Sequence, residues 1–268
     1  LILEEGKKSP ADVFIAQDAG ALGAVGAEGL FSKIDQELLE LVPETYRSTD
    51  SNWIGLSGRA RVIVYNTDAL TPNDLPNSIH EFTNPEWKGR IAWAPMNGSF
   101  QAWVTALRLS EGEDGARAWL EGIKANDVTE YMNNISIVDA VGRGAVDAGF
   151  VNHYYLKRFL AEEGEGFAAR NYYTGPGDIG TLVNVAGAGI LNSSDEQESG
   201  IRLLKFMLGT EAQTYYTEIN SEYPLVDGVP SNGDLPSIND IKPPAINLSD
   251  LSDLQGTLDL LRSVGVLP

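Results

Sequence analysis

Three pairs of adjacent tyrosines stand in this chain: Tyr154-Tyr155, Tyr172-Tyr173 and Tyr215-Tyr216. A phenolate is a hard oxygen donor and suits a hard, highly charged cation such as a ferric ion. A free phenol titrates near ~10, so ionising it at neutral pH requires a cation or another strong positive field. The first pair closes the run Gly144-Ala145-Val146-Asp147-Ala148-Gly149-Phe150-Val151-Asn152-His153-Tyr154-Tyr155, in which an apolar strand ends at Val151 and two phenols follow. Such a pair either holds a metal or packs over the first turn of a helix, and residue types alone leave both open. The other pairs read as packing. Tyr172-Tyr173 precedes the turn Thr174-Gly175-Pro176-Gly177-Asp178. Tyr215-Tyr216 lies in a helical window, where neighbours point about 100° apart and cannot aim at one small ion.

Two further strand-to-helix junctions carry polar side chains. Asn97-Gly98-Ser99 precedes a helical pattern, and amides at a helix start suit an anion. An ordinary cap by Asn97 or Ser99 explains the same residues. Asn134, in Tyr131-Met132-Asn133-Asn134-Ile135-Ser136, likewise caps the next helix or faces a ligand. With Asn152 ahead of the tyrosine pair, three junctions bear Asn, Ser and Tyr, and open α/β sheets gather ligands outside the carboxyl ends of strands. His153 has no companion serine in a nucleophile elbow, and no Walker A or HExxH run is present. An enzymatic reading would rest on His153 alone, so the chain is expected not to be an enzyme.

Composition narrows the partners. The chain has 268 residues, 19 Lys and Arg against 38 Asp and Glu, and a net charge of −19. That charge disfavours nucleic acid and anionic membranes. With no cysteine and only His80 and His153, thiolate sites and a multi-histidine zinc centre are excluded within one chain. No apolar run approaches the ~20 residues of a membrane span. No leader sequence is visible, and the sequence reads as a processed or trimmed product.

These junctions need elements to hold them. The pattern predicts strands over 11–16, 59–65, 90–94, 146–151 and 181–186. It predicts helices over 19–28, 78–83, 100–109, 114–124, 135–142, 155–163, 196–208, 211–219 and 251–264. Strands alternating with helices indicate an α/β architecture with parallel pairing. Leu1 to Glu5 reads as the last turn of a helix, so a preceding βα unit is expected to be missing.

Several runs then resemble one family. Ser9-Pro10-Ala11-Asp12-Val13-Phe14, Trp53-Ile54-Gly55-Leu56-Ser57-Gly58-Arg59-Ala60-Arg61, Trp87-Lys88-Gly89-Arg90-Ile91, Asn152-His153-Tyr154-Tyr155 and Ser221-Glu222-Tyr223-Pro224-Leu225 occur in family order over nearly the whole chain. They resemble the ferric-iron-binding proteins of bacterial ABC transporters, within the type II periplasmic binding protein fold. The resemblance implies two lobes, each a mixed sheet flanked by helices. Residues 1–60 and 185–235 form the first, 61–184 and 236–268 the second, with hinges near 59–65 and 182–187. It implies Tyr154 and Tyr155 as iron ligands. It also implies an anion pocket of Asn97, Gly98, Ser99, Asn134 and Asn152, with carbonate or phosphate as the synergistic anion. Arg59 resembles an arginine that holds carbonate in some members, or else makes an ion pair at the hinge.

Two departures accompany it. Many members place an iron-ligating glutamate where this chain has Gln17, and a neutral amide is a poor ligand for ferric iron. The family's first strand and helix, which often carry a further ligand, have no counterpart here. The implied function is the extracytoplasmic iron-binding component of an ABC importer: periplasmic or extracellular, with or without a lipid anchor, monomeric, and partnered by a membrane permease. The alternative keeps the fold but binds a phosphate- or carboxylate-bearing small molecule without iron, a reading that Gln17 favours.

Overall fold

Apolar residues fill every position from Ala148 to Val151, and a strand of that kind needs cover on both faces. The computed structural model of the protein, which describes residues 1–233 and 235–268, supplies it. In chain order the strands are β1 Val13–Ala16, β2 Ile54–Asn66, β3 Ile91–Trp93, β4 Thr129–Glu130, β5 Ala148–Asn152, β6 Ala169–Tyr172, β7 Val183–Ile190 and β8 Tyr223–Pro224. The chain divides into two units. One holds Leu1–Arg59, Asn184–Ser237 and Ala245–Asp253; the other holds Ala60–Val183, Ile238–Pro244 and Leu254–Pro268. The tail expected to stay together over 236–268 therefore contributes Ala245–Asp253 to the first unit.

In the second unit the strands run β2, β5, β3, β4, with β6 also paired to β2. One face of β2 and β5 presents Val62, Val64 and Val151, which pack with Ile137, Val138 and Val141 of the helix Asn134–Gly142. The opposite face is aromatic. Phe150 lies 5.5 Å from Phe82, 5.6 Å from Trp103 and 5.4 Å from Trp119, ring centre to ring centre. Trp103 and Trp119 belong to the helical stretch Gly98–Ala125, which is broken at Gly112 by a left-handed φ of 76°. That break explains why the pattern shows two helices where one continuous run is found. The indole N–H of Trp103 donates to the Ile179 carbonyl at 2.8 Å, which anchors the ring and satisfies the buried donor.

The expectation of parallel pairing is corrected in part. β3 is parallel to β4 and to β5, but β2 runs antiparallel to β5 and to β6. Alternation of strands and helices signals layers, whereas strand direction depends on where a connection re-enters the sheet.

In the first unit β1 pairs antiparallel with β7, and β8 pairs with Ser57 and Gly58 of β2. The helix Ala19–Ala27 is capped by Asp18, whose carboxylate accepts from the Ala21 N–H. Shorter differences are local. The 78–83 segment is a 3-10 turn, Ile79–Thr83, and the last helix is Leu254–Ser263, preceded by a second 3-10 turn at Leu248–Ser252.

Candidate metal and anion site

Register brings the key residues together. Arg61 of β2 is paired directly across from Asn152 of β5, and its Nη1 donates to Asn152 Oδ1 at 3.2 Å. The same nitrogen donates to Ser99 Oγ at 3.4 Å. The Arg61 guanidinium carbon sits 5.2 Å from the centre of the Trp103 ring. Ser99 and Trp103 stand four residues apart at the start of one helix, so both face Arg61 from one side.

Caps set the remaining polar groups. Asn97 Oδ1 accepts from the Ser99 N–H at 3.0 Å and from the Ser99 hydroxyl at 2.5 Å, and so caps the helix Gly98–Ala125. At the next junction Asn133 caps the helix, accepting from the Ser136 N–H at 2.9 Å. The capping alternative for Asn134 therefore falls to its neighbour. Asn134 is 1% exposed, and its Nδ2 donates to Ser99 Oγ at 3.4 Å. A side chain added at Gly98 would meet nothing within 4 Å, so the start of that helix faces open space.

Two polar atoms of this cluster are buried without a hydrogen-bond partner: Arg61 Nη2 and Asn134 Oδ1. Buried polar groups are almost always paired, so two orphans on residues sharing one serine mark a place built for something further. Arg61 is 3% exposed. Burial pushes its pKa down to about 9, while the nearby phenols of Tyr154 and Tyr155 act in the opposite sense.

The tyrosines follow at once. β5 ends at Asn152, and the helix Tyr155–Glu163 begins with Tyr154 as its first flanking residue. Their ring centres lie 4.3 Å apart at an interplanar angle of 33°. Both are half-buried, and Tyr155 packs on the Val62–Ile137 core. Tyr154 is already in the right-handed helical region, with φ −72° and ψ −19°, so the pair sits on the first turn of the helix with its two rings in contact. Tyr172 closes β6, and its hydroxyl approaches Asn77 Oδ1 at 3.3 Å.

His153 is structural. It is buried, its Nδ1 accepts from the Ala60 N–H at 3.2 Å, and its own N–H donates to the Ala60 carbonyl at 3.0 Å. The ring stacks edge-on against Tyr154 at 5.6 Å. It therefore fastens β2 to the exit of β5.

Arg59 and Gln17 belong to the first unit. Arg59 pairs with Glu222 at 2.9 Å, and its Nη1 donates to the Gln17 carbonyl at 2.9 Å. Glu222 also accepts from Ser57 Oγ. Of the two roles expected for Arg59, holding an anion or making an ion pair, the ion pair to Glu222 is present, and Arg61 is the arginine that bonds Asn152 and Ser99. A signal was present: an arginine between Ala60 and Val62, inside an otherwise apolar strand, is rarely buried without a purpose. Among the described residues no group of three or more His, Asp or Glu side chains is arranged to hold a metal, so the phenols are the hard donors the site offers.

Residues 8–246 match the family described as bacterial extracellular solute-binding protein. The chain is 34% identical over 268 residues to a protein of Serratia marcescens named Fe(3+)-binding periplasmic protein, covering 99% of this chain and 79% of that one. Among solved structures, iron-bound HitA from Pseudomonas aeruginosa superposes with a TM-score of 0.92 at 34% identity, covering 98% of this chain and 86% of that one. A Trichodesmium protein, IdiA or FutA, solved in complex with iron and citrate, superposes with a TM-score of 0.88 at 29% identity, covering 98% and 86%.

Proposed function

The chain belongs to the bacterial extracellular solute-binding protein family, and from that premise we propose that it captures ferric iron for an ABC importer, through Tyr154 and Tyr155. The fold is that of the type II periplasmic binding proteins. Proteins of this family bind substrates rather than transform them, and they act outside the cytoplasm beside a membrane permease. No helix among the described residues is long and apolar enough to cross a membrane.

The observation that carries the reading is the tyrosine pair, rings 4.3 Å apart, beside a buried guanidinium. Iron, as cargo, would take two phenolates from the second unit. An oxyanion such as carbonate or phosphate would occupy the neighbouring cluster of Ser99, Asn134 and Asn152 at the open start of the Gly98 helix. Asn97 contributes by fixing Ser99, and Gly98 by leaving room. Arg59 serves the first unit through Glu222, and Gln17 offers iron no charge.

A second reading, an oxyanion bound without iron, is favoured by the same cluster, since Ser99, Asn134 and Arg61 would serve an anion alone. Addition of a ferric salt separates the two. Phenolate coordination produces a visible charge-transfer band, which should be strong in the unaltered protein, weakened in Tyr154→Phe and Tyr155→Phe, and lost in the double variant. A colourless protein that is stabilised by phosphate alone would support the second reading.

A further inference from the structure

His153 joins the end of β5 to the tyrosine pair, and both polar groups of its backbone are held. Its N–H donates to the Ala60 carbonyl of β2, and its C=O accepts from Asn171 Nδ2 of β6 at 2.7 Å. The ring adds a third tie, Nδ1 accepting from the Ala60 N–H. The helix Tyr155–Glu163 that follows has no side-chain cap at its start. The direction in which the pair leaves β5 is therefore set by what grips the peptide before it.

Asn171 is not there for stability alone. Its Nδ2 is used, but its Oδ1 is buried without a hydrogen-bond partner. Buried polar atoms are almost always paired, and an unpaired one destabilises. Leucine, close to asparagine in shape, would exchange that unpaired oxygen for an unpaired His153 carbonyl, so the two side chains differ little in what they cost the fold. What asparagine adds is a donor aimed at the peptide that carries Tyr154.

We propose that Asn171 is a positioning residue for iron capture: by holding the His153 carbonyl it fixes the direction of Tyr154, and through it that of Tyr155. The inference rests on the proposed iron function and extends it to β6, which contributes neither of the proposed ligands. A ferric ion takes short, directed bonds from both phenolates at once. A peptide free to turn between His153 and Tyr154 would let one oxygen drift while the other stayed bound. Groups that orient metal ligands without touching the metal commonly govern affinity in this way.

The test compares the unaltered protein with Asn171→Leu and with a control, Asn192→Ala. Asn192 Nδ2 makes a similar bond, to the Gly29 carbonyl at 2.6 Å, but in the first unit, where neither tyrosine stands. Each protein is loaded with a ferric salt and mixed with a competing chelator at fixed pH. Iron release, the phenolate charge-transfer band per bound iron and the urea midpoint are recorded. Asn171→Leu should unfold near the unaltered midpoint yet release iron about tenfold faster, the lower end of what losing such an orienting partner costs. Its band should shift and weaken, which a loss of stability alone would not produce. Asn192→Ala should keep the unaltered band and release rate, whatever stability it loses. Asn171→Ala removes the amide without adding bulk. It guards against a leucine variant that does not fold, and should show the same fast release and altered band. A folded Asn171 variant with unaltered band and release overturns the inference and leaves the iron reading intact. So does a control that releases iron as fast as Asn171→Leu, or failure of both Asn171 variants to fold. A band missing from the unaltered protein sinks the iron reading, and the inference with it.

Discussion

Tyr154 and Tyr155 differ from the other two tyrosine pairs in what lies beside them. Their neighbours include a buried guanidinium that hydrogen-bonds Asn152 and Ser99, and Ser99 is fixed in turn by the helix cap Asn97. Under the proposed function, replacing either phenol removes an iron ligand. Iron affinity should fall by at least the ~10–100-fold that outer-shell changes cost at metal sites, read by competition with a chelator. Loading releases phenolic protons, so retention should weaken as pH falls from 8 to 5. A separate pH effect belongs to Tyr46, which burial pushes up to about 12. The unfolded chain ionises this phenol near ~10, so stability is intact below that pH. It declines by up to ~1.4 kcal/mol per pH unit as pH rises towards the folded value. Tyr46→Phe should flatten that decline in alkaline urea melts. The tyrosines and the Asn/Ser junctions were legible in the sequence because unusual residue types fell at strand exits. Arg61 was legible only in part: an arginine between apolar residues of β2 hinted at a buried role, but its pairing with Asn152 depends on strand register, which no local pattern announces.

At the scale of elements, neighbouring residues divide the work of capping and binding. Asn133→Ala removes the cap of the helix Asn134–Gly142 and should cost about 1 kcal/mol of stability, with the iron band preserved. Asn134→Ala should do the reverse, leaving stability nearly unchanged while weakening anion-dependent iron retention. Paired urea unfolding and iron titration of the two variants check this division. Packing behind the site is equally exposed to test. A methyl added at Gly149 of β5 would lie 2.3 Å from Ile137 Cγ2, so Gly149→Ala should destabilise by about 1–3 kcal/mol through overpacking. Hydrophobic periodicity disclosed most of these elements, including the break at Gly112. It did not disclose the antiparallel course of β2, since both faces of β2 and β5 are apolar and no period records direction.

For the whole molecule, the acidic charge of −19 suits a cation-binding protein and an aqueous surface. Cargo that binds only the folded chain should stabilise it by about 2.7 kcal/mol at a hundredfold excess over Kd, or roughly 5–10 °C in Tm for a chain of this size. Stripping iron with acid and chelator should reverse the shift. The division of the chain shows where local reading stops. The segment Ala245–Asp253 joins the first unit through contacts remote in sequence, such as the Thr49 N–H donating to Ser249 Oγ at 3.0 Å. Metal content decides the central claim most directly. Protein purified without chelators from iron-replete cells should carry close to equimolar ferric iron, and the Tyr154→Phe, Tyr155→Phe double variant should carry almost none. An unaltered protein that emerges iron-free and stays so after ferric loading, or a double variant that loads equally well, would contradict the account.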